Sequence, residues 1–196
     1  MTRRLLCLCL PLLLGLSTCV EEAPPARFGE IRFTDEPPIR LDVARVELVS
    51  SFQPSFRAPD VEHEFPVPPQ RVLEALCRDR FQAVGPASGR IARFTIEDAS
   101  VREVALPRTE GIEGAFTVDQ TERYDGRVAV RLEILDYNGG MLRLATAEAI
   151  HSETVDEDIT ANERDETWYG ISAQLGRALD QKLEQQVDAS FYPYKG

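Results

Sequence analysis

Apolar and polar positions along this chain follow two rhythms, and each predicts a kind of element. Over residues 127–136, Val128, Val130, Leu132 and Ile134 fall on one face while Arg127, Arg131 and Glu133 fall on the other. A period of two with one wet face is the pattern of a half-buried antiparallel strand. Asn138-Gly139-Gly140 follows it, a strong hairpin signal. Residues 141–153 then form the return strand, with Ala145, Ala147 and Ala149 on one face. Small side chains there either let a helix pack closely or simply lower the bulk. Residues 91–104 alternate in the same way, Ala92, Phe94 and Ile96 against Ile91, Arg93, Thr95 and Glu97. Residues 40–50, rich in Val and Leu, predict a first strand. Residues 106–114 read as a turn region, and residues 115–118 begin another extended stretch.

The second rhythm is helical. Val72, Leu73, Leu76, Cys77, Arg80, Phe81 and Val84 recur at steps of three and four, predicting a helix over residues 69–84 that Gly85 and Pro86 stop. The prolines before it, Pro66, Pro68 and Pro69, suit a helix start, where a missing N–H costs nothing. Trp168, Ile171, Leu175, Leu179, Leu183 and Val187 form a second stripe, predicting a helix over residues 161–189. Thr160 with Glu163 fits a capping box at its start. Residues 52–65 read as an extended, ordered loop, and the tail Phe191-Tyr192-Pro193-Tyr194 as an aromatic segment that docks on the body. The order is strand, helix, a meander of strands, then a long helix. It predicts an α+β domain: an antiparallel sheet of about four to five strands with two helices packed on one face.

The beginning of the chain follows neither rhythm. Arg3 and Arg4 precede an apolar run at residues 5–14, and Leu16-Ser17-Thr18-Cys19 closes it. A basic start, a short apolar core and a small-residue end make an export signal. The run is too short to span a bilayer, which takes about 20 residues. Its ending resembles the lipobox of bacterial lipoproteins at Leu16, Ser17 and Cys19; Thr18 stands where that family usually has Gly, Ala or Ser. The resemblance implies a diacylglycerol on the Cys19 sulfur, acylation of its amino group, and a membrane anchor for an otherwise soluble body. An ordinary secretory signal cleaved nearby is the alternative. In enteric bacteria an Asp after the lipidated cysteine favours the inner membrane, so Val20 leans towards the outer one. The expected division is a signal peptide at residues 1–18, a lipidated cysteine and proline-stiffened tether at 19–39, and one domain at 40–196. Phe28, Ile31 and Phe33 interrupt the tether, so part of it is expected to touch the body.

Charge narrows the partners. The 196 residues carry a formal net charge of −11, and losing Arg3 and Arg4 with the signal takes it to −13. That balance argues against nucleic acid, which binds basic patches, and against electrostatic adhesion to anionic lipid. Beyond Cys19 the one cysteine is Cys77, so an exported chain has no internal disulfide framework. Cys77 lies on the apolar side of its helix and reads as a small core residue.

Chemical motifs are sparse. His63, in Glu62-His63-Glu64, and His151 show no metal-ligand spacing. There is no Gly-x-Ser-x-Gly elbow and no phosphate-cradling glycine loop. The acids of residues 153–166 lack the alternating ligands and central glycine of a calcium loop and suit a helix start. No cofactor, metal or catalytic residue is assigned. Two stretches stand out as candidate partner contacts: Phe65-Pro66 ahead of the first helix and Trp168-Tyr169 near the start of the last. Core packing is the competing reading for both. The order of elements is also similar to small envelope lipoproteins that assist larger machines, notably the auxiliary lipoproteins of transporters that move lipids across the envelope. That resemblance implies a non-enzymatic adaptor or accessory subunit in the cell envelope, facing the periplasm, with a protein partner. A periplasmic carrier of a lipid or other apolar ligand held between sheet and helices is the second reading, and a hydrolase of envelope polymer the third.

Overall fold

In chain order the elements are β1 (Ile39–Leu41), β2 (Arg45–Ser50), α1 (Pro69–Arg80), β3 (Phe81–Ala83), β4 (Ile91–Ala105), β5 (Gln120–Leu135), β6 (Met141–Asp156) and α2 (Ala161–Ser190). They come from a computed structural model that describes residues 28–107, 120–156 and 159–196. The extended stretch expected at residues 115–118 lies outside the described residues, as does most of the turn region before it. The main sheet has the order β2-β4-β5-β6, and β1 pairs with β3 in a separate two-stranded piece. The fold is α+β with a mostly antiparallel sheet: β4, β5 and β6 are joined antiparallel, whereas β2 joins β4 in parallel.

Burial follows the period of two. Phe94, Ile96, Val130, Leu132 and Ile134 are fully buried beneath the helices, and Ala145, Ala147 and Ala149 line the β6 part of that face. Low bulk matters where α2 crosses. A Cβ on Gly126 would lie 2.8 Å from Leu175 Cδ1, so β5 and α2 approach closely at this glycine. The β5–β6 hairpin closes at Asp136, whose carboxylate accepts from the backbone N–H groups of Asn138 and Gly140, with Gly139 at φ 83°. Thr160 and Glu163 form the capping box that starts α2: the hydroxyl of Thr160 accepts from the Glu163 N–H, and the Glu163 carboxylate accepts from the Thr160 N–H. Its 30 residues carry the predicted stripe from Trp168 to Val187 into the core.

Three boundaries differ from the sequence pattern. The strand expected at residues 40–50 is two strands in two sheets. Between them the Asp42 N–H donates to Tyr194 O, the Ala44 N–H to Arg90 O, and Leu41 and Val43 accept from Val84 and Gly85. Backbone partners thus change from one segment to another within four residues, and the chain switches sheet. The first helix stops at Arg80 rather than residue 84, because Phe81 turns extended (φ −110°, ψ 121°) to pair with Ile39. The helical spacing ran on through Phe81 because that ring is buried in either conformation; here it packs on Phe94 at 5.8 Å. Finally, β5 starts at Gln120, earlier than the alternation at residue 127, and its partner β6 runs on to Asp156.

Residues 28–38 lie against the helices as a strap. Ile31 and Phe33 are buried. The Arg32 guanidinium donates twice to Asp79 at 2.7 Å, and the Phe33 N–H donates to the same carboxylate at 3.0 Å. Arg78 reaches back to Glu30 at 2.5 Å. Phe33 also fills the crossing of α1 and α2, where a Cβ on Gly176 would come within 2.5 Å of Val72 and 3.0 Å of Phe33. The hydrogen bond from Arg32, together with that from Phe33, holds the Asp79 carboxyl below its ordinary value of 3.8. A depressed acid stabilises the fold above its unfolded value and loses that contribution as pH falls through the folded one. Asp79→Asn is therefore expected to lower the thermal midpoint at neutral pH, with the gap from wild type closing as the pH falls below 3.8. A gap that persists unchanged in acid would show that the Asp79 charge does not hold the strap.

Cys77 lies on the buried face of α1, and desolvation pushes its thiol up to about 12. With Cys7, Cys9 and Cys19 replaced by Ala, Cys77 is expected to resist a disulfide reagent at about pH 8 until the protein is denatured. Reaction of the native protein at the rate of a free thiol would mean that α1 opens readily.

Candidate functional site

The concave surface richest in aromatic and proline side chains lies where the loop between β2 and α1 meets the first turns of α1. Phe52, Pro54, Phe56 and Pro68 form its apolar wall, and Gln70, Arg71 and Glu74 of α1 its polar lip, around a volume of about 280 Å³. Glu62 and His63 form its floor. Glu62 is buried, and its carboxylate accepts from the Val101 N–H of β4 at 3.3 Å, which ties the floor to the sheet.

The loop is built to hold Phe56 outward. The Ser55 hydroxyl accepts from the Arg57 N–H and donates to Asp60 at 2.9 Å. Beyond it the Val61 N–H donates to Val101 O and the Glu103 N–H to Pro59 O, fastening the loop to β4. Between these ties Phe56 has φ 53° and is 67% exposed. A bulky side chain in the left-handed region is an outlier that costs of order 1–3 kcal/mol and persists only where the surroundings enforce it. Its ring meets His63 edge-on at 5.2 Å. Among the described residues His63 Nδ1 has no hydrogen-bond partner, and Arg71 forms no ion pair. The His63 nitrogen is buried, so the site offers aromatic and proline faces and the Arg71 guanidinium.

The stretches singled out in the sequence lie nearby but behave differently. Phe65 and Trp168 are both buried and stack on each other, centroids 5.0 Å apart and planes 7° apart; Tyr124 meets the indole edge-on at 5.7 Å. Their packing joins α2 to the segment before α1. Tyr169 is half-buried and stacks on Phe28 of the strap at 5.1 Å. Pro66 lines a second, more polar hollow with Phe28, Glu30 and Arg78, and that hollow shares Arg71 and Glu74 with the first. Neither stretch lines the groove, whose apolar wall is Phe52, Pro54, Phe56 and Pro68. The sequence signal for that wall was present as Phe-x-Pro-x-Phe in a polar loop, but nothing local says which of those rings is buried.

The remaining candidates stay separate. His151 approaches Glu153 at 3.3 Å on β6, far along the chain from the groove. Burial and the neighbouring Glu122 raise the Glu103 carboxyl above its usual range, and Tyr124 donates to Glu122 at 3.0 Å. No group of three or more metal-ligating side chains comes together among the described residues. No described helix is long and apolar enough to cross a membrane.

The fold and groove define an α+β domain with a docked N-terminal strap. No family model matches the sequence, and no curated protein matches it either. Among solved structures, the chain is similar to the rare lipoprotein B of Shewanella oneidensis, at 14% identity and a TM-score of 0.38 over 74% of this chain and 95% of that one. It is similar also to a minor lipoprotein from Acinetobacter baumannii, at 12% identity and a TM-score of 0.39 over 80% and 98%. At these TM-scores neither likeness carries information about function.

Proposed function

We propose that this chain is a lipid-anchored, non-enzymatic protein of the bacterial cell envelope that works as an accessory subunit, docking a partner protein at the Phe56 groove. The observation that carries the reading is Phe56 itself: a bulky ring held in solvent, in an unfavourable backbone conformation, by a loop fastened to the sheet. Strain of this kind concentrates where a surface is used, and exposed aromatic anchors dominate protein interfaces. The anchor rests on the export signal and Cys19. Nine residue steps separate Cys19 from Phe28, whose ring stacks on Tyr169 of α2. A chain spans at most about 3.6 Å per residue, so Cys19 lies within roughly 32 Å of the body. A partner meeting this groove would therefore be in or close to the same membrane.

A carrier of apolar ligand between sheet and helices would need room that Phe94, Ile96, Leu132, Ile134, Ile171 and Leu175 fill with fully buried side chains. The accessory reading needs no such space. Mass spectrometry of the mature N-terminus tests the anchor. The expected result is a chain starting at Cys19 with the mass of a diacylglycerol and an amide-linked acyl group, and release of Cys19→Ala from the membrane fraction. A mature chain starting elsewhere and free of lipid would overturn it.

A further inference from the structure

β6 is an outer strand of the main sheet, and its ladder with β5 runs without a bulge from Arg143 to Val155. Native proteins usually blunt such an edge with a short strand, charged side chains, a proline, a bulge or a covering element. Met141–Asp156 is long, contains no proline and no lysine, and among its outward-facing residues from Leu144 to Ser152 carries a single charge, Glu148. Between Leu144 and Ser152 the Lys182 ammonium of α2 donates to the Glu148 carbonyl at 2.9 Å, and at the start of the strand Arg143 donates to the Leu142 carbonyl at 2.7 Å. The Glu148 carbonyl faces away from β5. In an antiparallel ladder the direction alternates by residue, so the backbone N–H and C=O groups of Leu144, Thr146, Ile150 and Ser152 face outward as well. Their side chains share the sheet's open face, opposite the alanines under α2. Ile150 is 71% exposed and Leu144 41%, while Glu148 lies between them, paired with Arg127.

We infer that the β6 edge receives an extended segment of another protein as a fifth strand. The side chains on the edge set its chemistry: apolar residues six apart, opposite Ile150 and Leu144, with a basic residue two from one of them, opposite Glu148. Apolar cross-strand pairs and an opposite-charge pair supply the selectivity, and the outward backbone groups supply the pairing. A second copy of this chain fits poorly. α2 rests chiefly on β6, so edge-to-edge pairing would bring two such helices towards one strand spacing, about 4.8 Å, where packed helices need about 8–10 Å. A segment without its own helix meets no such obstacle, and Lys182 can leave the Glu148 carbonyl for its own partner on the incoming strand. This contact is independent of the Phe56 groove.

The test adds a capped synthetic peptide of about twelve residues, alternating Thr with Val and carrying Lys opposite Glu148, to the full-length chain in detergent. Amide exchange is then read residue by residue. Exchange at Leu144, Thr146, Ile150 and Ser152 is expected to slow by about tenfold or more at saturation, and a peptide with Val replaced by Asp to have no effect. Thr146→Pro removes an outward N–H without touching the β5 ladder. It is expected to abolish the protection while leaving the circular dichroism spectrum unchanged. Unchanged exchange at millimolar peptide, protection that survives Thr146→Pro, or a concentration-dependent dimer that Thr146→Pro dissolves would each overturn the inference.

Discussion

Arg80→Ala is expected to destabilise the protein by about 3–5 kcal/mol, the usual cost of removing one member of a buried ion pair. The guanidinium is fully buried, donates to Asp180 at 2.8 Å, lies 3.0 Å from Glu184 and also donates to the Pro37 carbonyl of the strap. It thus ties α1, α2 and the strap at one point. Truncation leaves the buried Asp180 charge without its partner. Burial already raises the Asp180 carboxyl, against the pull of Arg80, and without Arg80 it rises further. An acid raised in the folded state binds protons that the unfolded chain releases, so stability falls as pH rises from 3.8 through the folded value. The Arg80→Ala deficit should accordingly be larger at neutral pH than near the acid end of that window. The double variant Arg80→Met with Asp180→Leu should recover most of the loss, because no charge is stranded. Urea unfolding at two pH values measures all three effects; a loss below about 1 kcal/mol at neutral pH would mean that Asp180 is solvated.

Trp168→Ala is expected to cost about 3–5 kcal/mol, as for a large aromatic removed from a core. The indole is stacked on Phe65 and edge-on to Tyr124, and the cavity left would open between α2 and the segment before α1. Phe56→Ala should change stability by no more than about 0.5 kcal/mol, because the ring is exposed. The contrast separates a residue packed in the core from one that meets the partner. Thermal denaturation of the two variants decides it. A near-native midpoint for Trp168→Ala would return Trp168 to the surface and to a direct part in binding.

The layers were legible in the sequence because burial on one face writes a period into it. The alternation from Val128 to Ile134 and the stripe from Trp168 to Val187 follow from a sheet with one wet face and a helix lying on the other. The hairpin at Asn138-Gly139 and the cap at Thr160 were legible because each depends on neighbours within four residues. The break at Asp42–Ala44 was not, since it follows from partners at Tyr194, Val84 and Arg90, far along the chain. Nor was the end of α1, where pairing with β1 overrides a helical spacing that continues into Phe81. The groove fell between these cases. Phe65 and Trp168 drew attention as bulky rings near helix starts, the positions where a core begins. Phe56 looked equivalent to Phe52 until the Ser55 turn and the β4 contacts fixed which way each ring points.

A membrane-tethered chain that meets a protein partner through the Phe56 groove holds that partner only while both the tether and the ring are intact. The most direct test is co-purification after gentle crosslinking of the full-length chain from its own membranes, alongside Cys19→Ala and Phe56→Asp. One protein partner is expected in stoichiometric amount with the wild type, lost with either variant while each keeps its thermal midpoint. A partner retained by Phe56→Asp, or a wild-type chain that brings down bound lipid and no protein, would contradict it.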